Sequence, residues 1–303
     1  MYNHTILNLG QKLPYILKKF EVIQKKLIDD FLIEDTSLDK KLAQSLLTKG
    51  KITDHNNKRL QKNQSVKDGF IQVHIFEAIS KGLKPLFQTD HFAIFDKPSG
   101  LLVHPSAIND EYTLLDEIKH HFKDDASLVH RIDKETSGLV LVSKNRFSEM
   151  ILKEMFEEKK YQKTYKAIVE GEIKNSLEIN SPITNDTGKI KIKMKTDEKG
   201  KASSTFIRPL SYNKEKNQTL VEAQPITGRQ HQIRVHLNSI GHRIVGDPIY
   251  GIKEEDTNKI LRKEVREEER IQITKNHRLL LHAYSLEFEY LNIKYKFCSK
   301  QNF

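Results

Sequence analysis

Apolar and polar residues alternate with a period of two in several stretches, and this alternation restricts the fold more than any other feature of the chain. In GFIQVHIF, Ile71, Val73 and Ile75 share one face, and in YQKTYKAIVEG so do Tyr161, Lys163, Tyr165, Ala167 and Val169. The late run LLLHAYSLEFEYLNIKYKF holds two alternating arms around Leu291-Asn292, which reads as a hairpin. Helical spacing appears elsewhere. In SLDKKLAQSLLTK, residues 37 to 49, Leu38, Leu42, Leu46 and Ala43, Leu47 recur at helical intervals, with Ser37 as N-cap and Gly50 as stop. After the Asn145 cap, Phe147, Met150, Ile151 and Met155 predict another helix. The class is therefore α+β, with a mostly antiparallel mixed sheet.

At 303 residues the chain is long for one core, so two domains are expected. The organisation reads as a module over 1–77, a linker over 78–88 interrupted by Gly82 and Pro85, and a larger domain over 89–303. Between Lys40 and Lys67 the module carries Lys40, Lys41, Lys49, Lys51, Lys58, Arg59, Lys62 and Lys67 against Asp54 alone. Over the whole chain, Lys plus Arg exceed Asp plus Glu by 51 to 41, which favours a polyanionic partner. The single cysteine, Cys298, excludes a disulfide framework and a multi-cysteine zinc site, and fits a reducing cytoplasm. The first residues lack a signal-peptide pattern, and no apolar run approaches the ~20 residues that span a bilayer. No membrane association is expected.

GKIKIKMK would place Lys189, Lys191, Lys193 and Lys195 on one strand face and Ile190, Ile192 and Met194 on the other. Such a lysine row serves phosphate contact or plain solvent exposure equally well. Residues 252 to 278, with eight basic and seven acidic residues, read as an exposed mixed-charge helix without chemistry. No Gly-x-Gly-x-x-Gly and no Gly-Lys-Ser/Thr loop is present, so a nucleotide cofactor is not indicated.

The chemistry concentrates in two stretches. In LVHRIDKETSGLVLVSKN, His130, Arg131, Asp133, Lys134 and Glu135 crowd a polar loop that Thr136-Ser137-Gly138 joins to the apolar strand from Leu139 to Val142. A loop set on a buried strand is a usual place for reactive groups. In ITGRQHQIRVHLNSIGH, Thr227 is placed to cap a helix whose face holds Ile233, His236, Leu237 and Ile240, with Gly241 as its end. Arg229 and Arg234 can each fork onto a carboxylate or phosphate, and the sequence alone does not choose between them. His231 and His236 stand five apart, not at the spacing of a zinc helix, so no metal is expected.

HRIDKETSGLVLVSKN, KTYKAIVEG, TGRQHQIRVH, GDPIYG and LLLHAYSLEF, preceded by DKPSGLLVHP, resemble in this order the motifs of RluA-type pseudouridine synthases over about residues 86 to 290. Ile132 stands where the family usually has leucine. The resemblance implies that a uridine of an RNA is detached at C1′ from N1, turned and rejoined through C5, with no cofactor. It places the catalytic aspartate on Asp133, its salt-bridge partner on Arg234, and the tyrosine that stacks on the flipped uracil on Tyr165. Arg131 falls on the residue that fills the space of the extruded base, and Leu281 on the apolar wall. His130, Thr136 and Arg229 complete the expected substrate-binding set. Whether Asp133 adds covalently or removes a sugar proton to give a glycal stays open, with the glycal route preferred.

The N-terminal module resembles the S4 RNA-binding domain through Gly50, Ile52 and Gly69, with Lys40, Lys41, Lys49, Lys51, Lys58 and Arg59 as its RNA contacts. It departs from that pattern at Asp39-Lys40-Lys41 and Asn56-Asn57. The expected protein is a cytoplasmic, monomeric RNA pseudouridine synthase acting on large-subunit (23S-type) ribosomal RNA. The alternatives are a tRNA-directed enzyme and a non-catalytic RNA-binding or ribosome-assembly protein.

Overall fold

The computed structural model describes residues 15–36, 38–76, 78–105, 111–123 and 125–301. The chain divides into two compact units. One comprises Met1–Gly82 with Pro105–Tyr112, and the other Leu83–His104 with Thr113–Phe303. One boundary lies between Gly82 and Leu83, and Pro105–Tyr112, expected in the larger domain, groups with the smaller unit. Leu86 already donates its N–H to the Ile94 carbonyl, and the strand Phe87–Gln88 pairs with the strand Phe92–Lys97.

In the smaller unit, Tyr15–Glu21 and Ile52–Thr53 flank Phe70–Phe76 in an antiparallel three-stranded sheet. Two helices, Ile28–Glu34 and Lys40–Thr48, share with it a core that includes Phe31, Leu32, Leu46, Ile52 and Val73. The cap of the second helix is Asp39, whose carboxylate accepts the N–H groups of Lys41 and Leu42. Ser37 lies outside the described residues. The buried face is Ala43, Leu46 and Leu47, so the expected Leu42 points to solvent instead. Gly50, at φ +63°, ends the helix in the left-handed conformation that glycine favours. The first strand and the first helix were not foreseen.

The larger unit is built on a ten-stranded mixed sheet. Its path runs Leu177–Ile179, Thr205–Asn213, Gln218–Pro225, Tyr161–Glu170, Leu281–Tyr290, Ser137–Ser143, Phe92–Lys97, Phe87–Gln88. The pairing of Leu281–Tyr290 with Ser137–Ser143 is parallel, and the other pairings described are antiparallel. Both faces of the Ser137–Ser143 strand are buried. Leu139 and Leu141 join Phe92, Ile94 and the helix residues Leu152 and Met155, while Val140 and Val142 join Phe95, Leu114 and Ile118. That two-sided burial explains an apolar run without alternation. Under the other half of the sheet, Ile233 and Leu237 of the helix Gln232–Ser239 pack on Ala167, Val169, Val221 and Ala223.

Several expected faces are turned. The helix Arg146–Glu157 is capped by Asn145 as expected, but Phe147 and Met150 are 56% and 68% exposed, and Leu152 with Met155 fills the core. A register shift between Thr164 and Tyr165 breaks the alternation of the Tyr161–Glu170 strand and buries Thr164. GKIKIKMK is not one strand. Only Met194–Thr196 pairs, with Ile183–Asn185, while Ile190 is buried and Ile192 exposed, so the lysines do not form one row. Residues 252 to 278 hold two short helices, Glu254–Leu261 and Glu267–Thr274, rather than one. Thr227 caps nothing. Its hydroxyl is bonded to Oε1 of Gln232, and the helix starts instead behind His231. The hairpin at Leu291-Asn292 closes as expected on two residues with φ +49° and +62°, as a turn matched to strand twist requires. Among the described residues no helix is long and apolar enough to cross a membrane.

Candidate active site

Asp133 sits on the loop that leads into Ser137–Ser143, and the loop is fastened from below. Lys97, fully buried at the end of its strand, donates from Nζ to the carbonyls of Pro98 (2.9 Å), Leu101 (2.8 Å) and Lys134 (3.1 Å). The Gly100 N–H reaches the same Lys134 carbonyl, the Ser99 hydroxyl donates to the Glu135 carbonyl at 2.6 Å, and the Thr136 N–H closes onto the Asp133 carbonyl at 3.2 Å. The KPSG turn and the Asp133 loop are thus one bonded unit. Burial pulls the Lys97 ammonium down to about 7, against the opposing pull of Asp133 and Glu135.

The helix Gln232–Ser239 carries Arg234 to the same place. The Arg234 guanidinium is 2% exposed and donates from Nη1 to Asp133 Oδ2 at 3.2 Å. Its other edge forks onto Asp247, Nε to Oδ2 and Nη2 to Oδ1, both at 2.8 Å. Asp247 also accepts the N–H groups of Ile249 and Tyr250. Burial alone would favour the neutral form of each partner. For Arg234 the two carboxylates, Asp247 foremost, reverse this and hold its pKa above the ordinary value, while Arg234 and the two N–H groups hold Asp247 below its own. Both stay charged at neutral pH, and the fork fixes the guanidinium plane.

His231 completes the site. Its Nδ1 is 2.9 Å from the Tyr250 hydroxyl and its Nε2 is 3.8 Å from Asp133 Oδ2. Burial, then Arg234, lowers its pKa to about 4, so the ring is neutral at pH 7. Tyr165 lies in its strand opposite Ala283 and packs against two core clusters. Burial and then the charge of Asp133 push its hydroxyl far above the ordinary phenol range. It is therefore a protonated phenol throughout the physiological range.

Of the other expected site residues, Arg131 is exposed beside Asp133 with its arm free of hydrogen bonds from described residues. His130 is turned the other way, stacked on Phe156 at 4.8 Å, with Nε2 accepting the Leu141 N–H at 3.1 Å. It props the loop rather than lining a substrate space. Thr136, at 2% exposure, and Leu281, at 3%, are core residues, Leu281 in the cluster on which Tyr165 packs. Arg229 is exposed and donates to the Ala202 carbonyl, so of the two arginines Arg234 is the one joined to Asp133. Glu135, half-buried, is ion-paired to Arg270 at 2.7 Å.

In the smaller unit, Lys40, Lys41, Lys49, Lys58 and Arg59 are exposed and Lys51 is half-buried. Sequence reasoning missed Lys97, Asp247, Tyr250 and the pairing of His231. The first stood in DKPSGLLVHP and the next two in GDPIYG, but nothing local marks Asp247 as the partner of Arg234 or Tyr250 as that of His231.

Chemically, the site offers one carboxylate whose Oδ2 is held and whose Oδ1 takes no hydrogen bond from a described residue, on a side chain 27% exposed. That oxygen suits a nucleophile or a base. The paired acid and base of a glycosidase are not available, since Asp247 and Glu135 are both engaged. Among the described residues no group of three or more His, Cys, Asp or Glu could hold a metal.

Residues 91–239 match the family described as RNA pseudouridylate synthase. An "uncharacterized RNA pseudouridine synthase" of Helicobacter pylori (strain J99) is 36% identical over 293 residues, covering 95% of this chain and 96% of that protein. A ribosomal large subunit pseudouridine synthase D of Nitrosomonas europaea is 39% identical over 59% of this chain and 52% of its own length. Among solved structures, human RNA pseudouridylate synthase domain containing 1 superposes with a TM-score of 0.59 at 23% identity, over 73% of this chain and 84% of that one, a likeness of fold.

Proposed function

The chain belongs to the RNA pseudouridine synthase family, isomerases acting on RNA, and from that premise we propose that it converts uridine to pseudouridine in large-subunit ribosomal RNA with Asp133 as the catalytic group. The observation that carries the reading is the ion pair of Asp133 with a buried, forked Arg234 at 3.2 Å, which leaves Oδ1 open. Addition to C1′ and removal of a sugar proton both begin from that carboxylate. Of the two, removal of a sugar proton to give a glycal is the preferred route.

The uridine must leave its stack to reach Asp133. Tyr165 then faces the flipped base as a neutral ring and hydroxyl, and the free arm of Arg131 fills the vacated place. Detachment, rotation and rejoining of the base transfer no electron and no group to a carrier, so the reaction calls for no cofactor. The ribosomal target is supported by relatives named for the large subunit. The smaller unit is read as an S4-like module that holds structured RNA through Lys40, Lys41, Lys49, Lys51, Lys58 and Arg59.

The test is a pseudouridine map of all cellular RNAs from cells with the protein, without it, and with Asp133→Asn. At least one large-subunit site is expected to vanish in both altered strains, while the purified variant still folds and binds RNA. An unchanged map, or Asp133→Asn turning over at near the wild-type rate, would remove the assignment. A loss confined to tRNA would move the target and keep the chemistry.

A further inference from the structure

His231 is held closely by its surroundings. It occupies the position before the helix Gln232–Ser239 with φ +54° and ψ 18°, a left-handed conformation uncommon outside glycine, and it is 9% exposed. Its neighbours fix it there. The Gln232 side chain accepts from the Thr227 hydroxyl and the Arg229 N–H and donates to the Ser204 carbonyl and the Thr205 hydroxyl, while Gln230 donates to the Ile192 carbonyl. A strained residue over-determined by its surroundings, beside a reactive carboxylate, is where strain serves placement.

The hydrogen bonds around the ring decide where its proton sits. The Tyr250 hydroxyl accepts the Met194 N–H at 3.0 Å and stands 2.9 Å from His231 Nδ1. The hydroxyl already accepts one N–H, and among the described residues His231 Nδ1 is the acceptor within reach of its own proton. Burial holds that phenol protonated. A neutral ring accepting at Nδ1 carries its own proton on Nε2, which lies 3.8 Å from Asp133 Oδ2, the oxygen that Arg234 also holds. That separation is too long for a formed hydrogen bond, and catalytic bonds commonly tighten only once substrate is bound.

Resting on the reading of Asp133 as the catalytic group, we infer that His231 is a positioning residue for it. The chain Met194 N–H, Tyr250 hydroxyl, His231 sets the Nε2–H form of the imidazole and aims it at Oδ2, so that Oδ2 is held from two sides and Oδ1 becomes the reacting oxygen. The tether runs through the Met194–Thr196 strand, whose preceding loop carries Lys189, Lys191 and Lys193. The charged and titratable groups around the pair are Arg234, Asp247, Tyr250, Tyr165 and Lys97.

The experiment uses the whole protein labelled with nitrogen-15 histidine, with His231→Gln to assign the resonance, and an unmodified transcript of large-subunit ribosomal RNA as substrate. At neutral pH the His231 ring is expected to be neutral and protonated at Nε2, and Tyr250→Phe should leave it in mixed forms. In single turnover His231→Leu should lose about 10- to 100-fold in rate with RNA affinity kept, the worth of one hydrogen bond to a charged group. His231→Gln, which returns an N–H near the Nε2 position, should recover most of that loss.

A wild-type ring protonated at Nδ1 or doubly protonated would overturn the inference. So would Leu and Gln variants of equal rate and equal stability. Should His231→Leu not fold, the spectra of wild type and Tyr250→Phe decide it alone. Wild-type protein that forms no pseudouridine would defeat the functional reading, and the ring's proton would still be read directly.

Discussion

Asp247 shows what one buried side chain can govern without touching a substrate. Its carboxylate is fully enclosed, forked onto Arg234 and bonded to two backbone N–H groups, and Arg234 in turn reaches Asp133. Asp247→Asn keeps the shape and removes the charge, leaving an arginine that is 2% exposed with the partly exposed Asp133 as its remaining carboxylate. Breaking a buried pair from one side costs roughly 3–5 kcal/mol. We expect a loss toward the low end of that range, because Asp133 offers partial compensation. The rate should fall more than RNA affinity, because the guanidinium plane is no longer set. Urea unfolding and single-turnover rates of the variant check both parts. Wild-type stability would mean that the fork contributes nothing.

At the level of strands and helices, the joint between Ser137–Ser143 and Leu281–Tyr290 is the most demanding, because it is parallel and lies directly behind the loop that carries Asp133. Gly138 makes it possible. Its φ is +114°, and a Cβ there would stand 2.3 Å from the carbonyl oxygen and 2.6 Å from the nitrogen of Ala283. Gly138→Ala should therefore cost roughly 3 kcal/mol or more and displace the loop that carries Asp133. Gly228→Ala, where nothing lies within 4 Å, should change stability by no more than about 0.5 kcal/mol. Equal midpoints for the two variants in chemical unfolding would refute this account of the joint.

The same scale shows what could be read in advance. The polar loop feeding an apolar strand, the Asn145 cap and the terminal hairpin were legible because each is a local signal. The helix after Asn145 was legible as a helix but not in its face, since Phe147, Met150, Leu152 and Met155 are all apolar and only the position of the sheet selects among them. GKIKIKMK has perfect alternation and yet pairs over three residues, because Ile190 is drawn into the interior while the loop turns. Asp133 and Arg234 stand 101 residues apart, and their pairing came from the resemblance rather than from spacing. Tyr250 and Lys97 had no local sign at all.

For the molecule as a whole, histidine burial sets a direction for stability against pH. His130, His231, His236 and His282 all have pKa values lowered by burial, His130 well below 6.5 and His231 to about 4. In the folded protein they remain neutral where the unfolded chain takes up a proton, below about 6.5. The unfolded state then binds more protons, so stability is full above that value and falls with pH through the window down to the folded pKa values. One such histidine contributes up to about 1.4 kcal/mol per pH unit, and His130 with His231, the two lowered furthest, up to roughly 2.7 kcal/mol per unit near pH 5. Asp247, held below its ordinary value, works in a lower window, because its contribution is lost only as pH falls below about 3.8 and through its folded pKa. Between pH 6.5 and 5 the histidines therefore dominate. The chain has no tryptophan and ten tyrosines, so urea unfolding at pH 7.5, 6.0 and 5.0 is followed by tyrosine emission. The midpoint should drop steeply below pH 6.5, and His231→Gln should flatten the slope by about one proton. A midpoint that stays level from pH 7.5 to 5.0 would mean that these rings already carry charge in the folded protein, which would also undo the neutral imidazole assigned beside Asp133.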